Sequence, residues 1–245
     1  MLPALVGLGA AAAAGAVGYQ SMSPTGQWFG LTLAAGRRGS KQLALTFDDG
    51  PNDPHTLNLL DVLAKHDVHA TFFMIGRYVR EQPAIARAAA DAGHVIGNHT
   101  FTHPRLIFRS EAQTRTELTN CRQALEDATG AHSNLFRPPF GGRRPATLRI
   151  ARELGLETVM WNVAGRDWNP SPASAIEAKI ARRIHADGGD IILLHDGGHR
   201  AFGADRAQTV IATDNLIRRF KDQGFVFVTV LEMKQALSSQ LSAVR

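Results

Sequence analysis

Two aspartates stand side by side at Asp48 and Asp49, in LALTFDDGPND, directly after an apolar run. Adjacent carboxylates repel one another unless a cation, a basic side chain or hydrogen bonds hold them, and each of those remedies points to chemistry. An Asp-Asp-Gly-Pro run is also an ordinary turn at the end of a strand, so the pair needs partners before it means more. His99 and His103 are such partners, four residues apart, a spacing that can present two imidazole nitrogens to one ion. They do not form a zincin helix, because residue 100 is Thr where that motif requires Glu, and Pro104 discourages helix continuation. Two histidines and an aspartate with open coordination positions suit zinc or a similar divalent ion that binds and activates water. The two carboxylates then have two tasks: one ligates the ion, and the other, kept ionised by a neighbouring cation, accepts a proton. Arg137, just before the stiff Pro138-Pro139 turn, is the candidate cation. His195, at the end of the apolar run DIILL, is a candidate general acid, with Asp167 to orient and charge-stabilise its imidazole and Trp168 to wall the pocket. The other histidines, His199 among them, have no comparable context and receive no role.

These residues are far apart in the chain, so folded elements must bring them together. From Lys41 onward short apolar runs alternate with helix-length amphipathic segments, the pattern of a parallel α/β fold. The strand candidates are 43–47, 70–75, 94–97, 134–137, 157–161, 190–194 and 225–229. Between them, one helix is expected to be capped by Asp53 and entered at Pro54, with Leu57, Leu60, Leu63 and Ala64 inward. A later helix carries Ile176, Ile180 and Ile184, and another Val210, Ile217 and Phe220. About seven parallel strands suit a distorted (β/α) barrel, with an open doubly wound sheet as the other arrangement. In both, ligands gather at the carboxyl ends of strands, and the polar clusters fall there repeatedly. Asp48-Asp49 follow the first strand, NHTFTHP the third, RPPFGG the fourth and HDGG the sixth, while RDW trails the fifth.

The 245 residues, 44% hydrophobic and 20% charged, fit one folded domain with a substantial core. The net charge of +5 is carried by scattered residues and by doublets such as Arg37-Arg38 and Arg143-Arg144, which read as solvated helix faces. No nucleic-acid recognition motif accompanies them. The single cysteine, Cys121, forms no internal disulfide and shares a helical stripe with Leu118, Leu125 and Ala128, a core position. Residues 1–25 are apolar and rich in Ala and Gly, like an export signal or membrane anchor, and 26–40 read as a linker. A catalytic domain over 41–237 and a short tail at 238–245 complete the expected organisation, in an exported or cell-envelope protein.

In this order, TFDDGP, HTFTH, RPPFG, RDW and LLH resemble the polysaccharide deacetylase family, NodB-like domains of carbohydrate esterase family 4, over about residues 41 to 235. The resemblance implies a distorted (β/α) barrel and the metal-dependent removal of acetyl groups from N-acetylated sugars of peptidoglycan, chitin or related glycans. It implies one divalent ion, zinc first, with cobalt, nickel or manganese also accepted, held by Asp49, His99 and His103. Asp48 matches the general base, paired with Arg137, and His195 the acid, tuned by Asp167. The backbone N–H of Phe140 matches an oxyanion donor, and Trp168 and Leu193 match the walls of the acetyl pocket. Phe140 stands where a tyrosine is frequent, and Ala164 in WNVAGRDW where many members carry an aspartate. An O-acetyl esterase, a small-amide hydrolase and a catalytically idle glycan-binding module are the alternatives on the same site.

Overall fold

The computed structural model describes residues 15–243, and residues 1–14 of the leader-like segment and 244–245 of the tail lie outside it. Along the chain run β1 (Gln42–Asp48), α1 (His55–Lys65), β2 (Thr71–Met74), α2 (Gly76–Glu81), α3 (Pro83–Asp91), β3 (Val95–Asn98), α4 (Glu111–Thr129) and β4 (Leu135–Phe136). Then follow α5 (Pro145–Glu153), β5 (Glu157–Thr158), β6 (Val163–Ala164), α6 (Ala173–Ala181), β7 (Asp190–His195), α7 (Ala207–Lys221), β8 (Val226–Phe227) and α8 (Val230–Ala243). No described helix is long and apolar enough to cross a membrane.

The strands form one curled, parallel sheet in the order β5-β4-β3-β2-β1-β7-β6, with β8 paired to the start of β1. The end strands β5 and β6 do not pair with each other, so the barrel is distorted and incomplete. β1 and β7 form its centre, in register from Leu43 opposite Asp190 to Asp48 opposite His195. Both are buried along nearly their whole length, which explains why they read as continuous apolar runs. Side chains alternate across β1. Leu43, Leu45 and Phe47 join the outer core with Leu59 and Leu63 of α1 and Leu216 and Ile217 of α7. Ala44 faces the interior with Phe73, Leu135, Val159 and Ile191, where α8 contributes Val230 and Met233. Thr46 and Asp48 share that inward parity, which is how a carboxylate enters the barrel.

Some expectations are corrected. β6 has no counterpart among the sequence candidates, because a two-residue strand leaves no periodicity to read. Helix α1 has Pro54 as its N-cap residue with no side-chain cap, and Asp53 does not cap it. Its buried face is Thr56, Leu59 and Leu63, while Leu57 and Ala64 are exposed. The reason is polar: the Thr56 hydroxyl is buried because it accepts from the Asn52 N–H and donates to the Asp196 carboxylate, which turns the helix by one position. Arg143 is not on a solvated face. It is 1% exposed and donates to the carbonyls of Gly141, Ser23 and Gly26. The 26–40 segment likewise lies along the barrel, with Leu33 paired in parallel to Val159 and Ala35 antiparallel to Asp190. Cys121 is buried on α4 beside Leu118 and Leu125, and burial raises its thiol pKa to about 12.

Candidate metal centre and catalytic cleft

The two adjacent aspartates diverge. Asp48 Oδ1 accepts from Arg137 Nη1 at 2.8 Å. Asp49 has a left-handed backbone (φ 75°), and its Oδ1 lies 3.1 Å from His103 Nε2 and 3.5 Å from His99 Nε2. All three residues are buried, and their candidate ligand atoms lie within 4.8 Å of one another.

The histidines converge without a helix. After β3, positive φ values of 65° at Thr100 and 58° at His103 fold the segment into a tight turn. That turn is braced internally: Asn98 Oδ1 accepts from the Thr100 N–H, and Thr100 Oγ1 from the His103 N–H. From outside, Glu117 on α4 accepts from the N–H groups of Phe101 and Thr102. Asn98 and Glu117 are supports that sequence reasoning missed, since neither has a local signal.

The hydrogen bonding shows that the cluster fits a cation. His99 Nδ1 is 2.8 Å from the Arg137 carbonyl, which can only accept, so Nδ1 carries a proton and the neutral ring presents a lone pair at Nε2. That lone pair faces Asp49 Oδ1, and Asp48 Oδ2 lies 3.8 Å from it. Acceptors thus face acceptors, and Asp49 Oδ1 is buried with no hydrogen-bond partner. Burial would raise the pKa of Asp49, but His103, His199 and His99 hold it well below the usual carboxylate range. Burial pushes His103 down to about 4 despite Asp49. An ionised Asp49 beside a neutral His103 is a protonation state in which these groups ligate a divalent ion.

Around this cluster Arg137 is fully buried and fully engaged. Besides Asp48, its Nη1 donates to Thr46 Oγ1 at 2.7 Å and its Nη2 to the Met160 carbonyl at 2.9 Å. Its guanidinium also stacks 4.1 Å above the Phe73 ring. Opposite, His195 Nδ1 is 2.9 Å from Asp167 Oδ1, while Asp167 Oδ2 accepts from the His195 N–H and the Thr209 hydroxyl. Burial alone would lower the pKa of His195, but the Asp167 carboxylate raises it to about 9. Trp168 sets its ring edge-to-face on His195 at 5.4 Å.

A cleft of about 690 Å³ opens between these groups. Every sequence-derived site residue except Arg137 and Asp167 lines it, and those two stand directly behind Asp48 and His195. Phe140 is left-handed (φ 58°), and its ring lies 4.7 Å from that of His103. Leu193 is buried on β7, opposite Ala164 of β6. Among the further residues that line the cleft, Trp161 and His199 received no role from sequence reasoning. Trp161 follows a two-residue strand, and His199 lies in the loop GGHRAFGADR, where its position four residues beyond His195 was the available signal.

Comparison with known proteins agrees with this geometry. A family profile described as polysaccharide deacetylase matches residues 35–159. A peptidoglycan-N-acetylglucosamine deacetylase of Bacillus cereus is 38% identical over 196 residues, which is 79% of this chain and 88% of that one. A solved peptidoglycan N-acetylglucosamine deacetylase superposes with a TM-score of 0.77 at 33% identity, covering 82% of this chain and 92% of the other. A family-4 pseudoenzyme from Bacillus anthracis superposes at 0.76 and 30% identity, covering 83% and 68% respectively.

Proposed function

Because the chain belongs to the polysaccharide deacetylase family, we propose that it is a divalent-metal-dependent hydrolase removing the N-acetyl group from N-acetylglucosamine-type residues of a peptidoglycan- or chitin-like glycan. A pseudoenzyme has the same fold, so the reading depends on side chains. It is carried by the buried convergence of Asp49, His99 and His103, with Asp48 paired to Arg137 on one side and His195 paired to Asp167 on the other.

Asp49, His99 and His103 would hold the ion, for which zinc is the first choice, with cobalt, nickel or manganese also suited to these ligands. A bound ion of this kind supplies Lewis acidity toward water and the acetyl carbonyl. The protein groups do the rest. Arg137 occupies Oδ1 of Asp48, so Oδ2 is the oxygen that takes a proton from the attacking water. The Phe140 N–H stabilises negative charge as it develops on the carbonyl oxygen. Trp168 and Leu193 wall the acetyl methyl. Loss of an amine requires that it leave protonated. Asp167 occupies Nδ1 of His195 and favours the imidazolium, so the proton is delivered from Nε2. The apolar start of the chain supports an exported or envelope-attached enzyme, the compartment in which such glycans are found.

The test is acetate release from N-acetylglucosamine oligomers and from peptidoglycan, with protein stripped of metal and then resupplied with zinc or cobalt. Release that disappears with chelator and returns with metal is the expected outcome. Tight glycan binding with no acetate under any metal would replace this reading with an idle binding module, and release from O-acetylated xylan alone with an esterase.

A further inference from the structure

We propose that His199 is a fourth side chain of the metal centre, a positioning residue whose Nδ1–H holds the outer oxygen of the Asp49 carboxylate and so commits the inner oxygen to the ion. The inference rests on the metal-dependent reading above.

The two oxygens of Asp49 face different neighbours. Oδ1 looks toward His103 and His99, whereas Oδ2 lies 3.6 Å from His199 Nδ1. That separation is just beyond hydrogen-bonding range, and the proposed bond requires the partly exposed ring to approach by about a few tenths of an ångström. A ligating carboxylate with a donor on its outer oxygen is fixed in orientation and binds through one oxygen.

The imidazole is held in this position from several sides. It stacks on His103 at 4.6 Å with the planes 21° apart, and meets Phe140 edge-on at 5.1 Å. Its own carbonyl accepts from Arg77 Nη2 at 2.7 Å, and the Gly198 carbonyl from the Tyr78 hydroxyl at 3.2 Å, so α2 grips the loop just where the ring departs. The stems of the loop are tied as well. Arg206 Nε donates to the Gly197 carbonyl, and the Asn52 amide bridges the carbonyls of Asp196 and Ala204. Phe202 packs on the Tyr78 ring at 5.7 Å. A loop anchored at both stems and at its tip delivers one imidazole to one carboxylate oxygen.

Two substitutions separate donation from packing. His199→Phe keeps an aromatic ring against His103 and Phe140 but has no N–H, and His199→Gln restores a donor without the ring. Zinc affinity measured by chelator competition should weaken about 10–100-fold in His199→Phe. The visible absorption of the cobalt-loaded protein should change with it, and the melting temperature of the metal-free protein should not. His199→Gln should recover most of the affinity. Wild-type affinity and spectrum in His199→Phe would overturn the proposal, as would equal weakening in both variants with the metal-free fold intact. If His199→Phe does not fold, His199→Leu against His199→Gln is judged by the same criteria. A wild-type protein that binds neither zinc nor cobalt would instead remove the metal-dependent reading itself.

Discussion

At the scale of single residues, Asp48 and His195 are distinguished by what occupies one of their two polar atoms. Arg137 takes Oδ1 of Asp48, and Asp167 takes Nδ1 of His195, so each lines the cleft with one polar atom that this partner does not occupy. Asp48→Asn should therefore keep zinc affinity and lose turnover by roughly 10²–10⁴-fold, whereas His99→Ala should lose both, as parallel metal titration and acetate assays would show. The pKa of His195 has a definite sign in stability. Burial opposes the charge, yet Asp167 lifts the folded value to about 9, above the ordinary histidine value of 6.5. A group raised on folding contributes its full stability below about pH 6.5, loses it progressively as pH rises, and contributes nothing above about pH 9. In metal-free protein the gap in melting temperature between wild type and Asp167→Asn should be widest at low pH and close across that window. The alkaline limb of the rate profile should also move to lower pH in Asp167→Asn. Arg137 carries the largest structural consequence. Its replacement by Ala strands Asp48 in the barrel without a counter-charge and should cost about 3–5 kcal/mol in denaturant unfolding. A loss below about 1 kcal/mol would mean that the barrel accommodates Asp48 without this counter-charge.

At the scale of elements, the turns after β1 and β7 are packed back to back, because these two strands are paired to their last residues. A Cβ on Gly197 would lie 2.2 Å from the Asp49 carbonyl oxygen and 2.6 Å from its carbon. Backbone cannot yield as a side-chain tip can, so Gly197→Ala should destabilise by about 1–3 kcal/mol and also weaken metal binding, through displacement of Asp49. Unchanged metal affinity would show that the turn adapts elsewhere. Asp196 belongs to the same joint. It is fully buried, burial raises its pKa to about 7 against the Thr56 hydrogen bond, and Thr56 links it to α1. That link is also why the face of α1 was misread: a buried threonine breaks an apolar count without breaking the packing. Helix α4 is bounded by local signals instead: Ser110 and Gln113 form a reciprocal capping box, and Gly130 closes it with φ 69°.

Across the whole molecule, the chain before β1 is part of the barrel. The Leu33 N–H donates to the Thr158 carbonyl, the Met160 N–H returns a bond to Leu33, and Arg38 pairs with the buried Asp190. Further back, the carbonyls of Ser23 and Gly26 receive the buried Arg143. A chain beginning at Lys41 should therefore melt well below one beginning at residue 15, and restoring the missing segment should recover the difference. Equal melting temperatures would show that β5, β7 and Arg143 are satisfied without it. The Met160 carbonyl that follows Leu33's pairing also accepts from Arg137, so this edge leads directly to the partner of Asp48.

The amino-acid sequence alone determined the alternation of strands and helices and the order of polar clusters at successive strand ends. In a parallel sheet those ends share one rim, so local periodicity was enough to bring Asp48, Asp49, His99, His103, Arg137 and His195 together. Only the tertiary structure decided which loops then meet across the rim. Asn52 meets Asp196 across 144 positions, and Arg143 meets Ser23 across 120. His199, Arg143 and Asp196 depend on contacts of that kind, and their sequence neighbours are glycines and other polar residues that resemble any surface loop. Periodicity reports which face of an element is buried. The partner of a buried polar group is chosen by packing between distant segments.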